Sequence, residues 1–145
     1  MTERWMKIAQ SLEGTKEATK GTRDYLVEWA HELGGWIGEY YTKDNIPWCG
    51  LFVTYVMHKA GYKAYQKGLS AREWLNWGNR CDPKPGAIMV FKRAGGAHVT
   101  FCKQISAIAN DGWYCLGGNQ SDMVNVQRFG QGNFIGSVWP ETKKD

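Results

Sequence analysis

A cysteine standing where a loop turns into a helix is the first residue in this chain equipped for covalent chemistry. Cys49 follows Pro47-Trp48 and opens a stretch in which Phe52, Val53, Val56, Met57 and Ala60 share one face, with Gly61 behind it. That pattern predicts a helix over residues 48–60 with the thiol in its first turn. Unpaired N–H groups and the helix dipole there favour negative charge, so the position predicts a lowered thiol pKa and a nucleophilic thiolate. A thiolate that attacks carbonyls needs a base, and the chain has three histidines, His31, His58 and His98. His58 lies on the same helix about 13 Å of rise away, out of reach of Cys49. His31 sits beside Trp29 and Ala30 on an amphipathic helix, an ordinary surface setting. His98 opens a strand straight after Gly95-Gly96, at a sheet end where functional groups are commonly displayed, and is the expected base. A hairpin downstream brings in an orienting group, because opposed residues of an antiparallel pair are set by the turn. A loop at residues 107–110 places Asn119 opposite His98 and Cys102 opposite Cys115, whereas a tighter turn on Asp111-Gly112 places Asn125 there instead. Under the first register Cys102 and Cys115 form a close reduced pair beneath the site.

The elements that must hold these residues read as α+β. Apolar residues at helical spacing predict helices over residues 3–12 and 26–33, the second stopped by Gly34-Gly35, and a short one over 71–77. After Pro83-Lys84-Pro85-Gly86 the period shortens. Ala87-Ile88-Met89-Val90-Phe91 is apolar on both faces, as a central strand is, and strands follow at 98–105, 113–116, 124–129 and 134–138. N-terminal helices packed on an antiparallel sheet are therefore expected, in a single domain spanning residues 1–145.

Composition narrows the function classes. The chain has 145 residues, 43% hydrophobic and 22% charged, with a formal net charge of +4, the profile of a compact enzyme or binding module rather than a disordered or fibrous chain. The mild, dispersed positive charge demands no nucleic acid. No apolar run is long enough to span a membrane, so no stable insertion is expected. The start, Met1-Thr2-Glu3-Arg4-Trp5-Met6-Lys7, lacks the apolar core of an export signal, which predicts that synthesis ends in the cytoplasm. Cys49, Cys81, Cys102 and Cys115 lack the short pairing of zinc or redox motifs. No metal, nucleotide or other cofactor is expected, and all but Cys49 read as packing residues.

The runs Pro47-Trp48-Cys49-Gly50-Leu51-Phe52-Val53, Pro85-Gly86-Ala87-Ile88-Met89-Val90-Phe91, His98-Val99 and Gly117-Gly118-Asn119-Gln120-Ser121-Asp122 resemble the papain-like peptidoglycan hydrolases of the CHAP and NlpC type, especially a single-domain branch of phages and prophages. The likeness extends to the Trp5 helix with Glu17 and Gly21 after it, and to the segment with Trp74 and Trp77. It implies a papain-like fold, Cys49 as nucleophile, His98 as base and then acid, and Asn119 as the residue holding the imidazole. It further implies an oxyanion site formed by the nucleophile's own N–H and one more group, with Asp44, Gln120 and Tyr40-Tyr41 as candidates. Ala87 departs from relatives that carry an acidic residue there. The implied substrate is peptidoglycan, cut at an amide of the stem peptide, its cross-link or the muramyl–L-alanine bond, by a monomeric endolysin acting in the wall after holin-type release. An injected antibacterial amidase, a non-catalytic wall-binding module and a protein transferase or deamidase are the alternatives. Of the eight tryptophans, Trp5, Trp29 and Trp74 lie on helical apolar faces, while Trp48 beside the nucleophile and Trp36 in a Gly-rich loop are expected to line the groove, together with Tyr41 and Gln120.

Overall fold

The computed structural model describes residues 2–17, 24–42, 47–105 and 112–141. Four helices open the fold: α1 (Arg4–Ser11), α2 (Tyr25–Leu33), α3 (Gly35–Tyr40) and α4 (Cys49–Lys59). Asp24 caps α2 by accepting the Val27 N–H at 3.0 Å, which satisfies one of the donors a helix start leaves open. The Gly34-Gly35 pair ends α2 after Leu33, as its composition predicts. Both residues adopt left-handed backbone, φ 67° and 58°, and turn the chain into α3, whose Ile37 N–H is met by Gln66 Oε1 at 3.0 Å and whose Ile37 side chain is fully buried. The expected short helix near residue 74 is a 3₁₀ turn, Ala71–Asn76.

The second half is an antiparallel sheet of β1 (Asn79–Arg80), β2 (Ile88–Arg93), β3 (Gly96–Ile105), β4 (Gly112–Gly117), β5 (Asn125–Gly130) and β6 (Phe134–Trp139), in the order β1-β6-β2-β3-β4-β5. The architecture is α+β, and β2 and β3 hold the central places that their two-sided apolar character requires. Arg93 pairs with Gly96 across a tight turn, with Gly95 at φ 78°. Cys102 pairs with Cys115 and Phe101 with Leu116, so the strands adopt the first of the two possible registers; a bulge between Cys102 and Gln104 shifts the rest. The connecting turn at residues 107–110 lies outside the described residues.

Strand alternation divides the core between two faces. Ile88, Val90, Val99, Phe101, Leu116 and Val138 pack with α1, α2 and α4. Met89, Phe91, Cys102, Trp113 and Cys115 form a second cluster with Phe129 and Phe134. Phe91 on β2 stacks on Phe129 of β5 at 4.9 Å, and Trp113 on β4 meets Phe134 of β6 at 4.9 Å, although neither pair of strands is hydrogen-bonded together. The sheet therefore curls over this face and covers it with its own aromatic side chains. No described helix is long and apolar enough to cross a membrane.

Candidate active site

Cys49 is the first residue of α4 and is only 5% exposed. The residue before it anchors the helix: Trp48 is fully buried, and its Nε1–H donates to Glu17 Oε1 at 2.7 Å. The segment carrying Glu17 is tied in turn to the loop after β4. Glu17 N–H donates to Asp122 O at 3.2 Å, Val124 N–H to Thr15 O at 2.8 Å and Gly14 N–H to Val124 O at 2.8 Å. That loop must pass close over the helix start, because a Cβ on Gly118 would stand 2.7 Å from Phe52 Cβ and 2.8 Å from the Trp48 ring.

Main-chain polarity shows where the sulfur lies. Cys102 N–H bonds Ala87 O, and Cys102 O accepts from Gly86 N–H, so Cys102 faces β2. Since these groups alternate sides along a strand, Val99 turns its N–H the opposite way, toward β4, at a level where β4 has already ended at Gly117. The Val99 N–H acts on the Cys49 sulfur there. Burial is nonetheless the largest influence on this thiol and pushes its pKa above the ordinary 9.0, against the N–H groups of Val99, Gly50 and Cys49 and the positive charge of Arg93. The lowered value expected from the helix position is thereby reversed: desolvation of a nearly enclosed thiolate outweighs the dipole.

His98 is paired with Phe91 across the hairpin and lies 5.4 Å from the Phe129 ring, nearly parallel at 15°. Its Nε2 is 3.0 Å from Gln120 Oε1, and its Nδ1 is buried without a hydrogen-bond partner. The Gln120 amide is oriented by its own Nε2, which donates to Cys115 O at 3.2 Å, Asn125 O at 2.9 Å and Asn125 Oδ1 at 3.2 Å. Oε1 also accepts from Thr100 Oγ1 at 3.0 Å. An amide oxygen only accepts, so the network assigns the imidazole proton to Nε2 and leaves the lone pair on Nδ1. Burial chiefly, with Arg93 in support, holds the His98 pKa below 6.5 against the opposing hydrogen bond from Gln120. The resting groups are thus a neutral thiol and a neutral imidazole whose basic nitrogen is free. No hydrogen bond joins Cys49 to His98 here; the sulfur sits against the main chain of the next residue.

The imidazole partner is Gln120, not Asn119. Beyond Gly117 the strand gives way to a loop with left-handed backbone at Asn119, Ser121 and Asp122, φ 57°, 57° and 60°, so the ladder that would carry Asn119 opposite His98 is not continued. Asn119 lines the cleft beside His98, and Gln120, buried to 3% exposure, turns inward instead. With its amide fully engaged, Gln120 has no donor left for substrate. Asn125, the alternative partner, braces Gln120 by donating from Nδ2 to its backbone O at 2.8 Å. Two other groove expectations are also overturned: Trp48 and Tyr41 are both buried in the core. Trp36 is 53% exposed, stacked on Tyr40 at 4.7 Å, and lines a separate groove with Gln66, Leu69 and Glu73. Asp44 lies outside the described residues. Cys102 and Cys115 are free, buried and opposed; burial pushes Cys102 to about 11 and Cys115 higher still, which keeps both as thiols. Among the described residues no group of three His, Cys, Asp or Glu side chains is placed to hold a metal.

Comparison with protein-family models and with curated proteins gave no match for this chain.

Proposed function

We propose that this chain is a papain-like cysteine hydrolase that cleaves an amide bond of peptidoglycan. The chemistry rests chiefly on His98, whose Nε2 is locked by Gln120 while its basic Nδ1 remains buried and unpartnered, one residue from the main-chain group that touches the Cys49 sulfur. The substrate class rests on the resemblance of the Cys49, His98 and Gly117-Gly118-Asn119-Gln120 segments to wall hydrolases.

In this reading His98 Nδ1 takes the Cys49 proton as the sulfur attacks the carbonyl carbon. Substrate binding closes the gap between the two, as catalytic hydrogen bonds commonly tighten only in the complex. The new oxyanion is held by the Cys49 N–H at the helix start, where Trp48 provides no side-chain cap to compete for the open donors. Imidazolium then protonates the leaving amine nitrogen, the C–N bond breaks and a thioester remains. Water attacks the thioester while Nδ1 accepts its proton, releasing the carboxylate and restoring the thiol. Arg93 favours the thiolate and opposes a long-lived imidazolium, which suits a base that must give its proton up again.

Purified, dye-labelled sacculi provide the test. The wild-type chain should release soluble dye, and Cys49→Ala and His98→Ala should each release at least about a hundredfold less. Equal release by wild type and Cys49→Ala would refute the reading. Sedimentation of both proteins with sacculi, without any release, would mark a wall-binding module in which Cys49 merely packs.

A further inference from the structure

The cleft on the outer side of His98 has a character that the amide chemistry does not use. It measures about 260 Å³, and Lys92, Arg93, Asn119, Ser121, Gln127 and Asn133 are among its lining residues, with no Asp or Glu. Lys92 and Arg93 are exposed at the end of β2, and among the described residues neither side chain has an ion pair or hydrogen bond. Two cations at the rim of a cleft otherwise lined by amide, hydroxyl and apolar groups leave it without an anionic partner. Gln127 and Ser121 are already pinned together, Gln127 Nε2 donating to Ser121 Oγ at 3.0 Å, so part of this lining is fixed before anything binds.

Arg93 also stands close to the reacting groups. It lies two residues beyond Phe91, the cross-strand partner of His98, so Arg93 and His98 share one face of the hairpin as diagonal neighbours, typically about 7–8 Å apart. Its charge is felt at both Cys49 and His98. An anion seated on Arg93 would therefore share the cleft with His98.

We infer that this cleft is a carboxylate subsite, in which Arg93 receives a free carboxylate of the substrate peptide close to the scissile amide, with Lys92 adding charge and Asn119 a hydrogen-bond donor. Arg93 can grip such a group with two parallel N–H donors. The inference rests on the reading of the protein as an amide hydrolase of peptidoglycan, and it specifies the stem that is preferred: one bearing a free carboxylate where other stems carry a carboxamide.

The test uses two disaccharide-tetrapeptide fragments that differ only in carboxylate against carboxamide on the stem. Calorimetric binding to Cys49→Ala should favour the carboxylate form roughly 10- to 100-fold, the range expected of a charge-assisted contact. Arg93→Gln in the same background should bring the ratio close to one, and Arg93→Lys should recover only part of it. A preference that survives Arg93→Gln, or no preference in the parent, overturns the subsite. Binding and turnover fail separately: Arg93-dependent binding of the carboxylate form, with no cleavage by the wild type, would sustain the subsite and sink the hydrolase reading. Cleavage without carboxylate preference would do the reverse. Arg93 is exposed, and a urea midpoint for Arg93→Gln equal to that of its parent shows that the altered ratio comes from the cleft and not from misfolding.

Discussion

Replacing Gln120 by alanine removes the group that decides which nitrogen of His98 is basic. In the native protein Gln120 Oε1 meets His98 Nε2 and Thr100 Oγ1, both at 3.0 Å, while its Nε2 satisfies Cys115 O and Asn125. Each buried hydrogen bond contributes about 1 kcal/mol net, and a buried donor left without an acceptor costs about 1–3 kcal/mol. His98 Nε2–H loses the acceptor it has in the native protein, so Gln120→Ala should destabilise the fold by about 3 kcal/mol. For a chain of this size that corresponds to a fall in Tm of about 10 °C. With the tautomer released, the proton can move to Nδ1 and remove the base, and loss of an orienting group of this kind costs about two to four orders of magnitude in kcat. Asn119→Ala, at a cleft position without this network, should lose less than tenfold. The assay is fragment release from sacculi beside urea unfolding for both variants. A third measurement is independent of whether either variant folds: nitrogen NMR of the wild-type imidazole should show a protonated Nε2 and an unprotonated Nδ1 above pH 7. An Nδ1–H tautomer in the wild type, or a larger loss from Asn119→Ala than from Gln120→Ala, would refute the reasoning.

Two further outcomes follow from contacts around the site. Glu17→Ala removes the acceptor of the buried Trp48 indole at 2.7 Å and should cost about 1.5–3 kcal/mol by urea unfolding; a change below about 0.5 kcal/mol would show that the N-terminal segment does not brace the start of α4. The pH profile of stability should fall on both sides. Because the folded His98 pKa lies below 6.5, the unfolded chain takes up that proton first, and stability present above pH 6.5 is lost as pH falls below it. Because the folded Cys49 pKa lies above 9.0, the unfolded thiol ionises first, and stability declines as pH rises past 9.0. Urea midpoints for wild type and Cys49→Ala should therefore diverge in slope above pH 9.0, and parallel slopes would contradict the enclosed thiol.

What could be read from the sequence and what could not divides along physical lines. Period and punctuation were enough for α4 and for β2 to β6, because an apolar face or a two-sided apolar run has few other ways to be buried. The pairing of Cys102 with Cys115 was legible once a turn length was chosen, since antiparallel register follows from the turn alone. Gly34-Gly35 marked the end of α2 correctly, but the short α3 behind it was not legible, because a six-residue helix carries too little periodicity and is held by the burial of Ile37. The one-residue difference between Asn119 and Gln120 arises where the ladder stops: beyond Gly117, facing is set by three left-handed residues, and no strand arithmetic reaches across them. Gln120 had a signal, an amide of the same chemistry next to the expected residue. Trp48 was misplaced because adjacency to a nucleophile does not reveal that Glu17, far away in sequence, meets its indole inside the core. The direction of the Cys49 shift needed the depth of burial, a property of the whole packed chain.

The central claim is that the Cys49 sulfur carries out the hydrolysis of a peptidoglycan amide, and mass spectrometry of fragments released from purified peptidoglycan in ¹⁸O-labelled water tests it most directly. The wild-type chain should yield stem peptides or split cross-links whose newly formed carboxyl group alone carries ¹⁸O, and Cys49→Ala should yield none. Labelled fragments produced equally by Cys49→Ala, or no labelled carboxyl from a folded wild-type protein, would contradict the account.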